Sequence, residues 1–241
     1  MTNAYSSPVI IGDPLTYQDA SMVEDQEKWA YNQFKSLEKK IPELVDTIYE
    51  YEAKPDFATH SIIDSIDSNN IDMIIMGTSG AANKLEEWLG STTYDVITES
   101  TCPVLAIPKE SPIEPPKKIL FATDFQDIKY QKGLEVVCLL SEQFNAEIQI
   151  LRVGKNPDHI SEDETEGVTD LHNYFKGLPH TFHFSTIDDV AQGINEHISS
   201  NNIDLLALMP KKHSIYEKLF KERITKKIAH HTKVPLLAFY E

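Results

Sequence analysis

Ser68-Asn69-Asn70-Ile71-Asp72 is written twice in this chain: it returns as Ser200-Asn201-Asn202-Ile203-Asp204, an offset of 132 residues. The same offset carries Ile62 onto Ile194, Ile66 onto Ile198, Pro103 onto Pro235, Leu105 onto Leu237 and Ala106 onto Ala238. One offset that holds without a gap over about forty residues is the mark of an internal repeat. The two halves therefore read as copies of one domain. Between them runs Lys109-Glu110-Ser111-Pro112-Ile113-Glu114-Pro115-Pro116-Lys117, proline-rich and polar, which suits a short stiff linker. The expected domains are 1–110 and 117–241, with the join near Ser111 to Pro116.

Working outward, the second half gives the cleaner pattern. Lys118 to Thr123 reads as a buried strand, and Gln131 to Phe144 has helical spacing through Leu134, Val137, Cys138 and Leu140. Ala146 to Val153 is a strand, and the acidic segment Asp158 to Gly167 separates it from a helix expected near Val168 to Lys176. A strand at Thr181 to Ser185, a helix at Val190 to Ser199, a strand at Ile203 to Met209, a helix at Tyr216 to His230 and a strand at Val234 to Tyr240 complete the half. Strands alternating with helices imply a parallel sheet with helices on both faces. The first half joins this order late: helix Glu24 to Lys40, strand Asp46 to Ala53, helix Phe57 to Ser68, strand Ile71 to Met76, helix Leu85 to Ser100 and strand Val104 to Ile107. Nothing before Glu24 matches the opening of the second half. If Asn3-Ala4-Tyr5 ends the second strand, the first repeat is expected to lack an opening β-α-β segment of roughly thirty residues.

Composition narrows the classes. The chain has 241 residues, enough for two cores, with 41% apolar and 25% charged residues, the balance of a soluble globular protein. A net charge of −16 disfavours nucleic acid and anionic membranes, whose binding depends on Lys and Arg neutralising phosphate. The basic stretch Lys211 to Lys233 reads as a solvated helix face. No run is apolar enough to span a membrane, the first residues have no basic leader, and Cys102 and Cys138 read as reduced thiols, so a cytoplasmic location is expected.

After the strand at Ile71 comes Met76 to Thr93, MGTSGAANKLEEWLGSTT. A strand ending in Gly77, with Gly80 three residues on and a helix to follow, is anion-binding geometry: glycines let the backbone approach a ligand, and free N–H groups with the helix dipole favour negative charge. Gly90-Ser91-Thr92 adds amides and two hydroxyls, so a ligand held by both clusters would be an oligophosphate. A plain tight turn is the rival reading of the same glycines.

Gly77-x-x-Gly80, nine residues, then Gly90-Ser91 resembles the ATP-binding motif of the universal stress protein family, G-x2-G-x9-G-[S/T]. Thr101 to Ile107 resembles that family's last strand, and Ile119 to Phe125 its first strand with the acidic residue after it. The resemblance implies two tandem Rossmann-like domains of the adenine nucleotide alpha hydrolase type, α/β, each with strand order 3-2-1-4-5. It implies ATP, with magnesium accompanying it, on Gly77, Ser79, Gly80, Gly90, Ser91 and Thr92, and an adenosine-side position at Asp124. It further implies that last strands pair across a dimer or tandem interface, setting Val104 to Ile107 against Leu236 to Phe239. The second half carries Met209, Lys212, Glu222 and Arg223 where the first has Gly77, Gly80, Gly90 and Ser91, so neither half holds a complete site. An absent opening segment, completion by a partner chain, or decay of the loop would each account for the gap; the first is favoured, and an unpaired edge would then promote self-association.

Other chemistry is thin. His180 and His183 fall on opposite faces of a strand, His230-His231 suit a helix C-terminus, and with no CxxC or HExxH no metal site is expected. Asp124, Asp127, Ser91 and Thr92 form no Ser-His-Asp order, and the glycine motif is not the Walker form, so no dedicated enzyme is expected. Two main readings remain, a nucleotide-binding stress protein or an interaction scaffold of the same fold that binds no nucleotide, with a weak ATPase as a third.

Overall fold

Short apolar runs lie side by side in parallel ladders, with amphipathic helices between them in sequence. The computed structural model describes residues 2–4, 20–42, 47–54, 58–78, 90–112, 114–126, 132–154, 161–209 and 234–239. The chain forms two compact units, Met1–Asn70 and Ile71–Glu241.

In the first unit, β1 (Thr2–Ala4) precedes helix α1 (Ala20–Lys40), β2 (Glu52–Lys54) and helix α2 (Ala58–Asn69). β1 and β2 pair in parallel, with Thr2 opposite Glu52 and Ala4 opposite Lys54. The expected strand from Asp46 to Ala53 shrinks to Glu52–Lys54. Its tyrosines serve α1 instead of a ladder: Tyr51 stacks on Phe34 at 4.5 Å between ring centroids, and Tyr49 donates a 2.7 Å hydrogen bond to Glu38.

The second unit runs β3 (Ile74–Gly77), α3 (Ser91–Glu99), β4 (Val104–Ile107), β5 (Lys118–Ala122), α4 (Lys132–Phe144), β6 (Glu147–Val153), α5 (Glu162–Tyr174), β7 (His180–Ser185), α6 (Val190–Asn201), β8 (Leu205–Leu208) and β9 (Leu236–Ala238). Its sheet has seven strands among the described residues, in the order β3-β4-β9-β8-β5-β6-β7. Read from β7 to β9, the second repeat alone gives the order 3-2-1-4-5. The two repeats do not build separate sheets, which corrects the tandem picture in detail. The last two strands of the first repeat extend the sheet of the second, and β1 and β2 pair apart from it. The helix expected at Tyr216 to His230 lies outside the described residues.

The joint between repeats is the pairing of β4 with β9, antiparallel in a sheet otherwise parallel. Val104 faces Ala238, Leu105 faces Leu237 and Ala106 faces Leu236. The central pair are repeat equivalents of one another, so the register is symmetric about them, and the expected meeting of last strands occurs within one chain. Local geometry repeats as well. α2 and α6 begin and end at residues 132 apart, and both are followed by an asparagine in the left-handed region, Asn70 at φ 51° and Asn202 at φ 54°. Asn69 Nδ2 donates to the Ser65 carbonyl at 3.1 Å, as Asn201 Nδ2 does to His197 at 3.0 Å. Asparagine tolerates this conformation because its short polar side chain bonds locally.

The core gathers under β5, whose Ile119, Leu120, Phe121 and Ala122 are fully buried, with Leu134, Val137, Ile148, Ile150, Leu171 and Phe175 around it. Helix α5 begins six residues before the expected Val168, inside the acidic segment. Ser161 is its N-cap and Glu164 its third residue, and each side chain bonds the other's backbone N–H. This reciprocal cap satisfies two helix donors, and the acids of the first turn suit the dipole.

His197 on α6 gives this unit an acid sensitivity. Its Nε2 lies 2.8 Å from Gln149 Oε1, and burial, with His183 and Lys118 nearby, pushes its pKa down to about 4. The unfolded chain takes up that proton near pH 6.5, before the folded chain does, so stability falls as pH drops from about 6.5 toward 4. A melting temperature that falls between pH 7 and pH 5 in wild type and falls less in His197→Gln is the expected result, read by circular dichroism.

Candidate functional site

The glycine-rich stretch is pinned at both ends. β3 stops at Gly77, and the Thr78 amide donates to the Ile107 carbonyl at 3.1 Å, carrying the chain one step past the strand. The Thr78 carbonyl then accepts the Gly90 amide at 3.0 Å, and Thr93 Oγ1 donates to the Gly77 carbonyl at 3.2 Å. Two clusters thirteen residues apart in sequence are thereby drawn together at the strand end. Ser79 and Gly80 lie outside the described residues. Thr78 and Thr93, both buried, are the fasteners, and sequence reading missed them. A threonine beside each glycine cluster was the available signal.

α3 then opens with Gly90 as N-cap, φ −63° and ψ 156°, with no side-chain cap and no acidic residue in its first turn. Any residue adopts that backbone, so glycine is not there for conformation. It leaves the first amides of the helix without the side-chain acceptor that Ser, Thr, Asp or Asn would supply. Ser91 is exposed and Thr92 half-buried at the same end. Gly77 tells a similar story: among the described residues, a Cβ built on it would meet nothing nearer than the Ile107 carbonyl oxygen at 4.0 Å. Among the described residues there is room for a Cβ, and the position stays bare. Open backbone at a strand end, facing an uncapped helix N-terminus, fits an anion.

Asp124 sits elsewhere. It follows β5 in a tight turn, where its Oδ1 accepts the Gln126 amide at 3.1 Å and Thr123 Oγ1 accepts the Phe125 amide at 3.2 Å. The order of the sheet reverses between β5 and β8, and a crevice beyond the strand ends at such a point is the usual ligand position of open α/β sheets. The residue at the far side is Met209, equivalent to Gly77, and it is 4% exposed within the core cluster that includes Phe121 and Phe125. A thioether fills the space that glycine leaves open in the first repeat. Lys212, Glu222 and Arg223 lie outside the described residues.

Nor do Asp124 and the first glycine cluster share one site. β4, β9 and β8 stand between β3 and β5, a separation of about 19 Å at about 4.8 Å per strand. The antiparallel joint also points the ends of β3 and β5 in opposite directions.

Histidine contacts follow the expected alternation along β7. His180 Nε2 lies 3.0 Å from His172 Nδ1 on α5, while the His183 ring lies 4.8 Å from that of His197 on α6. Among the described residues no three His, Cys, Asp or Glu side chains come together as a metal site. His230 and His231 lie outside the described residues.

A mostly parallel α/β sheet, with a glycine at the end of β3 beside an uncapped helix N-terminus, defines the class. Within it, residues 8–108 match the model of the Universal stress protein family. Three solved structures share the fold. A universal stress protein from Archaeoglobus fulgidus superposes with a TM-score of 0.65 at 15% identity, covering 95% of this chain and 82% of that one. A Pseudomonas aeruginosa protein provisionally assigned as a universal stress protein gives 0.62 at 11% identity, covering 99% and 92%. Another Pseudomonas aeruginosa protein, of unknown function, gives 0.60 at 11% identity, covering 99% and 81%. No curated protein matches the sequence. Among the described residues, no helix is long and apolar enough to cross a membrane.

Proposed function

We propose that this chain is a nucleotide-responsive stress protein that binds ATP, or a related nucleotide, through the glycine loop of its first repeat. The observation that carries the reading is the convergence of Gly77 and Gly90 through Thr78, beside an uncapped helix N-terminus. Backbone amides after Gly77 and at Ser79, Gly80, Ser91 and Thr92, with the hydroxyls of Ser91 and Thr92, would hold the phosphates. Magnesium would arrive on the nucleotide, since no carboxylate stands among these residues. Asp124 would serve the second repeat, at a site narrowed by Met209. The role is binding and signalling in a cytoplasmic stress response, with no dedicated catalysis.

Titration calorimetry of the full chain with magnesium-ATP tests this. Wild type is expected to bind; Gly77→Val, whose Cβ has room among the described residues, is expected to bind more than about tenfold more weakly. Ser91→Ala loses a charge-assisted hydrogen bond and is expected to bind about tenfold more weakly. Silence from wild type would favour the scaffold reading. Phosphate release above the Ser91→Ala background would overturn the non-enzymatic assignment.

A further inference from the structure

Among the described residues β3 has one edge in use and one open. Its repeat equivalent, β8, is paired on both sides, by β9 and by β5, and all four of its residues are buried. Among the described residues β3 pairs with β4 alone, and Ile75 is 60% exposed. The amides of Ile74 and Thr78 donate to Pro103 and Ile107 on the β4 side. Alternation along a parallel strand turns the amide and carbonyl of Ile75 toward the open side.

The second repeat displays what such an edge is fitted to receive. β5 lies parallel on β8, with Ile119 opposite Leu205 and Ala122 opposite Leu208. At its entry one carboxylate oxygen, Asp204 Oδ2, accepts both the Lys117 amide at 2.8 Å and the Lys118 amide at 2.9 Å. The equivalent of Asp204 is Asp72, just before β3. Asp72 is exposed, and among the described residues it makes no hydrogen bond or ion pair. The strand-receiving carboxylate is thus retained beside an unpaired edge.

We infer that the open edge of β3 docks an extended segment of another polypeptide. The segment runs parallel to β3, apolar over about four residues, with a basic entry whose first amides meet Asp72. Charge complementarity selects that polarity. Asp72 stands at one end of the edge, the chain carries a net charge of −16, and the internal precedent begins with Lys117-Lys118 before Ile119-Leu120-Phe121-Ala122. Main-chain hydrogen bonds would supply affinity, and burial of Ile75 the apolar contact. The docking is independent of whether the glycine loop binds nucleotide.

The probe is a labelled peptide with the sequence Lys-Lys-Ile-Leu-Phe-Ala, titrated by fluorescence anisotropy against the full chain. The same residues in reverse order serve as control. Saturable binding of the forward peptide is expected, and the reversed peptide should bind less tightly. Ile75→Pro deletes the outward amide and leaves the bonds to β4, which is where proline is tolerated in an edge strand. Asp72→Ala changes one exposed side chain and keeps the strand. Each is expected to weaken the peptide about tenfold. Failure of the forward peptide to bind overturns the inference. So does binding that both variants leave unchanged. A dimer of wild type in sedimentation that dissociates in Ile75→Pro without any peptide would assign the edge to a second copy and also overturn it.

Discussion

Gly167→Val is expected to destabilise the second unit by about 3 kcal/mol, the overpacking cost of a site with no room to yield. A Cβ at Gly167 would stand 1.7 Å from the Phe125 carbonyl oxygen and 2.7 Å from its carbon, a collision with backbone. The turn cannot swing aside, because Phe125 already holds φ 63° and is fully buried against Phe182 and Phe184 at 6.0 and 5.7 Å. A left-handed phenylalanine is itself uncommon and persists only where packing over-determines it. The sharper test is alanine. In an open helix, Gly→Ala stabilises by about 1 kcal/mol. Here the sign is expected to reverse, and a urea midpoint that rises in Gly167→Ala would refute the close contact.

Glu164→Ala is expected to cost about 3 kcal/mol by urea denaturation, because it strands a half-buried guanidinium. Arg152 Nη2 and Nε reach Glu164 Oε1 at 2.6 and 3.0 Å, while Glu164 Oε2 accepts the Ser161 amide at 2.8 Å. One carboxylate therefore closes the cap of α5 and ties that helix to β6. Glu164→Gln keeps the shape and the cap acceptor and should cost less than half as much. Acid gives an independent readout. Burial alone would raise the Glu164 pKa, but the Ser161 amide and the Arg152 guanidinium outweigh it and hold the group below its ordinary 4.5. A depressed carboxylate contributes fully above about 4.5, and its contribution is lost as pH falls through the lower folded value. The Gln variant should lose that slope below pH 4.5 and retain the His197 slope above it.

The repeat was legible because matched helices and strands need matched apolar positions, and Ile62, Ile66, Ile71 and Leu105 have equivalents at one offset. The pairing of last strands was legible by resemblance. What escaped depends on partners. Asp46 to Ala53 has a strand's composition, yet β1 offers it three partner positions in the described residues, so Tyr49 and Tyr51 turn to α1. The start of α5 escaped because acidity was read as separation, although Ser161-Glu162-Asp163-Glu164 has the spacing of a reciprocal cap. Of the glycine motif, the spacing was legible and the fastening was not. Thr78 and Thr93 act through backbone groups brought near only when β3 lies on β4.

The antiparallel joint has a consequence for how the chain comes to be. Leu105 of β4 finds Leu237 of β9, 132 positions further along the chain, so loop closure must be met before that ladder returns anything. During synthesis, β3 and β4 leave the ribosome while β9 is still unmade, and Val104 and Ala106 wait uncovered until it emerges. β9 thus acts as a closing stitch, and chains halted short of Leu236 would expose a sticky seam.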